Sequence, residues 1–394
     1  MTPSIDILDR EFWRSNPHDA WTWCREHDPV HRDERSGIWL VTKHADVLWV
    51  ERNDEIFSSD SAYRLNESPG ESNMIASDDP VHLHQRRLVN RRFTPRAVKA
   101  QTDMLGRMVD GLVDRITPTG RTEVIGDLAG QLPARFTAWL LGLDEDEWWP
   151  RLKVWSERLM RLDAAEMDPG VLADLMPTMQ ELWSTVDEQS QQLRACPAEG
   201  LLSTWSNASM ADGAPMPLET IFHETGLFVS GGAETTRTAI AHGLRAFCDH
   251  NDQWELLHDS PEHLPTAVDE VIRWVTPLNN MFRKATRDTE IRGVPIRAGE
   301  RVALVYPSAN RDEEVFEDPF RFDVTRSPNP HIAFGYGTHF CIGANFARHE
   351  LTLLFGKLTR EWTNLRAVTE PDVEPNHFAR AVRSFELAFD ARAA

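Results

Sequence analysis

The segment Phe334-Gly335-Tyr336-Gly337-Thr338-His339-Phe340-Cys341-Ile342-Gly343 places one thiol among residues suited to holding a ligand. Gly335 and Gly337 let the backbone turn tightly and approach a flat molecule, because no Cβ stands in the way. Gly343 follows the cysteine, and the run Ala344 to Leu354 takes helical spacing. A cysteine at the start of a helix has its thiolate stabilised by the positive helix end and by unpaired N–H groups. His339 is near enough in sequence to offer a donor to an acidic group. Taken alone, the pattern also describes a core thiol beside a glycine-rich turn, the usual fate of a free cysteine.

A second group lies at Phe228-Val229-Ser230-Gly231-Gly232-Ala233-Glu234-Thr235-Thr236, inside a helical stretch expected over 218–247. Two adjacent glycines in a helix interior cost about 1 kcal/mol each relative to alanine, so a packing or functional reason is expected. A flat macrocycle against the helix would supply one. Glu234 beside Thr235 is an acid next to an alcohol, a pair suited to relaying a proton. A kinked core helix with a solvent-facing glutamate fits the same letters. Glu270 and Arg273, three apart, share a helix face and can pair. His82 and Arg86, four apart, also share a face, and a guanidinium suits carboxylate recognition.

The elements that must position these groups are mostly helical. Apolar positions recur at three and four between about 79 and 255, as in Met104, Met108, Leu112 and Ile116, then Phe136, Leu140 and Leu141. Gly120, Gly142 and the stretch 197–200 punctuate them. Trp39–Val41 suggests a short strand and 45–50 a helical turn. Short β-like runs come late, at 290–296, 301–306 and 384–389. Residues 58–79 are rich in Ser, Asn, Gly, Glu and Asp and read as a long loop with a lid or binding role. No repeat or low-complexity linker divides the 394 residues, so a single large, mainly α domain with a minor β portion is expected across 1–394.

Composition narrows the function. There are 62 acidic against 42 basic side chains, a net charge of −20 with histidine neutral. Such a surface disfavours nucleic acid and anionic membrane, which need basic stripes. No apolar run reaches the ~20 residues of a membrane span, and the start lacks the basic-then-apolar order of a secretory signal. Cys24, Cys196, Cys248 and Cys341 are scattered with no CxxC pair. A cytoplasmic protein is expected.

The spacing Phe-Gly-x-Gly-x-His-x-Cys-x-Gly resembles the heme-binding signature of the cytochrome P450 family, with every signature position present. In that family a cysteine thiolate ligates the heme iron and pushes electron density toward it, which favours O–O cleavage. The resemblance implies the P450 fold, Cys341 as the axial ligand of heme b iron, and His339 against a propionate, with Phe334, Gly335 and Gly343 forming the heme-thiolate loop and its following helix over 334–350. The 218–247 stretch resembles the family's oxygen-binding helix. That implies Glu234 and Thr235 as the proton-delivery pair, with Gly231, Gly232 and Ala233 lining heme and substrate. Glu270 and Arg273 match the Glu-x-x-Arg lock, with Arg321 as its implied third member. His82 with Arg86, and Arg283, match propionate-binding positions. The match runs in order from about residue 78 to 350.

By the same resemblance, the protein is a monooxygenase inserting oxygen from O2 into an unactivated C–H bond. Electrons are expected from NAD(P)H through a ferredoxin reductase and a ferredoxin, on separate chains because the domain uses nearly all 394 residues. Substrate contacts are expected from Met74, Ile75, Phe228, Ala233, Leu278, Asn280, Met281 and Phe378. Their apolar and amide character favours a bulky hydrophobic substrate with a few polar anchors. Segments 276–283 and 310–317 look most like actinobacterial members that oxidise steroid side chains, and a polycyclic terpenoid or other secondary metabolite fits nearly as well. Arg86, Arg87, Arg91, Arg92, Arg96 and Lys99, with Arg348, form a basic cluster able to steer an acidic ferredoxin. A peroxide-using heme enzyme, a heme sensor and a heme-free helical binding protein are the competing classes.

Overall fold

The structure is a computed structural model describing residues 3–15, 17–165 and 168–392. Helices dominate because apolar residues recur at helical spacing, and a few helix starts add capping groups. Asp144 accepts from the N–H groups of Asp146 and Glu147 at 3.0 and 2.9 Å, and three acidic residues open the helix Glu145–Met160. Thr94 caps Pro95–Lys99 in the same way, with proline at the first helical position. The helix Thr102–Ile116 buries Leu105, Val109, Leu112, Val113 and Ile116. Met104 and Met108, read from sequence as part of its stripe, lie half-buried at the edge.

The expected single helix over 218–247 is three pieces. Leu218–Val229 and Thr235–Asp249 flank a wider, π-type turn at Ser230–Glu234. Ser230 Oγ donates to the Gly226 carbonyl at 2.9 Å and Thr235 Oγ1 to the Gly231 carbonyl at 2.8 Å. Side-chain hydroxyls that take helix carbonyls, next to two glycines, are what such a local widening requires.

The β portion is small and sits to one side. A five-stranded sheet runs Val30–Arg32, Trp39–Val41, Arg301–Val305, Asn280–Ala285, Phe57–Ser58 in spatial order. Among the described residues, the Trp39–Val41 and Arg301–Val305 pairing alone in this sheet is parallel. Thr289–Ile291 and Val294–Ile296 form a hairpin, and Glu386–Ala391 lies between Arg121–Glu123 and Trp362–Ala367. Tyr306 leaves its expected strand and opens the helical turn Tyr306–Ala309. Residues 59–73 are irregular and close on the short turn Met74–Ala76. That loop is tied to the 218–229 helix: the Met74 N–H donates to Glu224 Oε1 at 2.9 Å, and Ser72 Oγ meets Thr220 Oγ1 at 3.0 Å.

Among the described residues, four apolar clusters fill the interior. One joins Leu244 and Phe247 to Val271, Leu354 and Phe355, and another joins Phe93, Phe136, Phe228 and Phe346. A cavity lies where all four clusters meet. Among the described residues no helix is long and apolar enough to cross a membrane.

Candidate active site

The Cys341 loop is built by its glycines. Gly335 and Gly337 stand at φ +68° and +67°, in the left-handed region, and a Cβ on Gly337 would come within 2.5 Å of the Glu51 carbonyl oxygen. The returning chain is closed by the Cys341 N–H donating to the Phe334 carbonyl at 2.9 Å. Gly343 then caps the helix Ala344–Glu361. Burial pushes the Cys341 thiol up. The N–H groups of Gly343 and Ala344, with Arg86 and Arg348, oppose that rise by favouring the thiolate. The residue is nonetheless open on one side, because it faces the cavity.

This cavity, of about 250 Å³, is walled mainly by apolar side chains. Across it lie Ser230, Gly231, Gly232, Thr235 and Thr236. A Cβ at Gly231 would meet nothing within 4 Å, so a side chain there would project into the cavity itself. His82, Arg86, Arg283 and His339 converge on the same space. The rings of His82 and His339 stand 4.4 Å apart, and His82 Nε2 is buried without a hydrogen-bond partner among the described residues. Burial first, then Arg283, His82 and Arg86, push His339 down to about 2. Four crowded basic groups and an orphaned nitrogen call for an anionic ligand. Together with a helix-capped thiol opposite a side-chain-free helix face, they fit a flat metallo-macrocycle carrying two carboxylates. The residues present therefore fit heme.

The other sequence-derived positions divide. Met74, Ile75, Phe228, Leu278, Met281 and Phe378 line the cavity. Ala233 and Asn280 do not. The wide turn directs Gly231, Gly232 and Thr235 inward and leaves Ala233 buried on the other side. In the strand Asn280–Ala285, Met281 and Arg283 face the cavity, so Asn280 faces away and donates to the His377 carbonyl at 2.7 Å. Glu234 also lies off the cavity, ion-paired with Arg237, which also holds Glu157. Its carboxyl is raised by burial against the opposing pull of Arg237, and Oε2 has no hydrogen-bond partner among the described residues.

The Glu270–Arg273 pair is fully buried, at 2.7 Å, and Arg273 also donates to the Asn310 and Pro319 carbonyls. Its third member is Arg326, 3.2 Å from Glu270, rather than Arg321. Arg321 contributes only its carbonyl, and its side chain is exposed. The basic cluster keeps four exposed members, and Arg92, also expected there, stands half-buried. Arg86 turns inward to the Thr338 and Phe340 carbonyls, and Arg348 pairs with Asp269 at 2.7 Å. Arg87, Arg91, Arg96 and Lys99 are exposed beside the Cys341 loop, to which Asn345 ties this region through the Phe93 carbonyl at 3.0 Å.

Sequence reasoning missed Glu51, Tyr306, Glu350 and Arg64. Glu51 accepts from the Tyr306 hydroxyl and from the Tyr336 N–H at 3.3 Å, and its carboxylate lies 3.6 Å from Arg283. Glu350 lies in the helix after the cysteine, where burial lifts its carboxyl to about 8. Each is an ordinary charged or phenolic residue in a local context without a motif, and only the fold brings it to the cavity.

The family profile of cytochrome P450 matches residues 171–388. A steroid C26-monooxygenase of Mycolicibacterium smegmatis is 36% identical over 390 residues, covering 98% of this chain and 96% of that protein. A methyl-branched lipid omega-hydroxylase of Mycobacterium bovis is 33% identical, covering 90% and 84%. Among solved structures, a Mycobacterium marinum cytochrome P450 in complex with pseudoionone superposes with a TM-score of 0.89 at 32% identity, covering 98% of this chain and 99% of its own.

Proposed function

The chain belongs to the cytochrome P450 family and is a heme-dependent monooxygenase, and on that premise we propose that it hydroxylates an unactivated C–H bond of a steroid or polycyclic terpenoid. The observation that carries the substrate class is the lining of the cavity: Met74, Ile75, Phe228, Leu278, Met281 and Phe378 offer a broad apolar surface with few polar groups. The steroid-acting and pseudoionone-bound relatives support the same class.

When bound, heme supplies dioxygen activation and the oxidising power for C–H cleavage. In this reading Cys341, its N–H held by the Phe334 carbonyl just before the helix Ala344–Glu361, would supply the thiolate that holds the iron, and His82, Arg86, Arg283 and His339 would hold the two carboxylates. Thr235 keeps its hydroxyl at the cavity wall by donating to the Gly231 carbonyl, which leaves its lone pairs free to accept a proton donor. Glu234 is the reserve acid: burial favours its protonated form, and delivery to Thr235 requires its carboxyl to leave Arg237. The apolar wall excludes bulk water, which would otherwise compete as proton source.

Electrons are proposed to come from an acidic ferredoxin docking on Arg87, Arg91, Arg96 and Lys99, a local basic surface on a chain of charge −20. The test is mass spectrometry of products after turnover with surrogate ferredoxin and reductase. A panel of steroids, terpenoids and fatty acids should yield singly oxygenated steroid or terpenoid. Oxygenation of fatty acids alone would overturn the substrate class.

A further inference from the structure

Among the described residues, Arg64, Glu51 and Glu350 are charged side chains on the cavity wall to which the proposed mechanism gives no task, and Arg64 is the cation of the three. It stands with Tyr63, Met160 and Phe378, its guanidinium carbon 4.8 Å from the Phe378 ring centre and 5.0 Å from that of Tyr63. Its placement is over-determined. Nε donates to the Tyr63 hydroxyl at 2.8 Å, and Nη1 donates to the buried Asp163. Tyr63 in turn donates to Glu71 at 2.7 Å. Arg301 pins the backbone beneath by donating to the carbonyls of Ala62, Arg64 and Leu65. The remaining amino group, Nη2, makes no hydrogen bond among the described residues.

We propose that Arg64 Nη2 anchors an uncharged oxygen, keto or hydroxyl, carried by the substrate at the end remote from the carbon that is oxidised. The inference rests on the proposed substrate class and sharpens it. A purely apolar molecule filling this part of the cavity strips water from a charged N–H and returns nothing, which is costly. A carbonyl or hydroxyl oxygen restores the bond. A carboxylate does not suit the place. Arg64 is already balanced by Asp163, and Glu71 adds a second acid through Tyr63, so a carboxylate would be a third negative charge beside Arg64, while Arg301 beneath is turned to backbone carbonyls. In a low-dielectric pocket that repulsion outweighs one added hydrogen bond. The same arithmetic separates keto steroids and keto terpenoids from fatty acids of similar length.

The test is calorimetric titration of the heme-containing protein with two matched sets. One is cholest-4-en-3-one, cholest-4-ene and cholest-4-ene-3-carboxylic acid. The other is pseudoionone and a hydrocarbon of the same skeleton. In wild type each ketone should bind about ten-fold or more tighter than its hydrocarbon, the size of one hydrogen bond from a charged donor, and the acid more weakly than the ketone. Arg64→Met should abolish the ketone's advantage while leaving hydrocarbon affinity within about three-fold. Because Arg64→Met strands Asp163, the double variant Arg64→Met/Asp163→Asn is titrated beside it, and the same loss of preference is expected. Ketone and hydrocarbon binding equally in wild type, or a preference that survives in the double variant, overturns the anchor while the substrate class stands. A pseudoionone preference dependent on Arg64, with no steroid bound, supports the anchor and removes the steroid reading. Failure of every ligand to bind overturns both.

Discussion

Replacing Arg326 should damage the protein where replacing Arg321 does not. Arg326 sits with its side chain largely buried, 3.2 Å from Glu270, and donates to the carbonyls of Glu317, Asp318 and Arg321 at 2.7, 3.1 and 2.9 Å. Each such bond contributes about 1 kcal/mol net, and Glu270 keeps its main partner Arg273, so the full cost of an orphaned buried charge is not incurred. Arg326→Ala should therefore cost about 2–4 kcal/mol. Arg273→Met, which removes the main partner of Glu270, should cost about 3–5 kcal/mol and sets the upper mark. Arg321→Ala removes an exposed side chain and should stay within about 0.5 kcal/mol of wild type. Urea unfolding followed by far-ultraviolet circular dichroism, with m-values compared across the series, reads these differences. If Arg321→Ala proves as damaging as Arg326→Ala, the assignment of the third arginine is wrong.

Three further outcomes follow from the geometry. Gly337→Ala forces a side chain onto the Glu51 carbonyl at positive φ, so it should lose about 2 kcal/mol or more and purify with depleted heme; normal heme content would count against the reading of the turn. Burial lifts Glu224 from 4.5 to about 8, so the native state holds a proton that the unfolded chain releases, and stability attributable to this group falls as pH rises through that window. Glu224→Gln should flatten the decline in urea stability between about pH 5 and 8, and an unchanged slope would contradict it. Reduction by an acidic ferredoxin should slow as ionic strength rises and slow further in Arg91→Glu/Arg96→Glu, whereas a salt-indifferent rate would remove the docking surface.

What could be read from the letters was what local spacing encodes. The Cys341 loop, the His82 and Arg86 pair and the Glu270 and Arg273 pair each depend on positions within one turn or one helix face, and the fold brings each set together. Direction was harder. Choosing between Arg321 and Arg326 needs burial, which the loop that carries both does not announce. Asn280 and Met281 are neighbours, but strand alternation sends only the latter to the cavity. Ala233 and Glu234 turn away from the cavity into the buried interior because the helix widens at Ser230–Glu234, and a regular 3.6-residue period does not describe that turn. Glu51 and Arg64 are held at the cavity by Tyr306 and Asp163, residues 255 and 99 positions away in the chain.

The most direct measurement is the absorption spectrum of the reduced, carbon monoxide-bound protein, taken for wild type and Cys341→Ser after equal loading with hemin. Ligation through the Cys341 sulfur gives the strongly red-shifted Soret band of a thiolate-ligated heme in wild type and its absence in the variant. A wild-type band at the unshifted position of a nitrogen-ligated heme, or a red-shifted band that survives loss of the Cys341 sulfur, would contradict it.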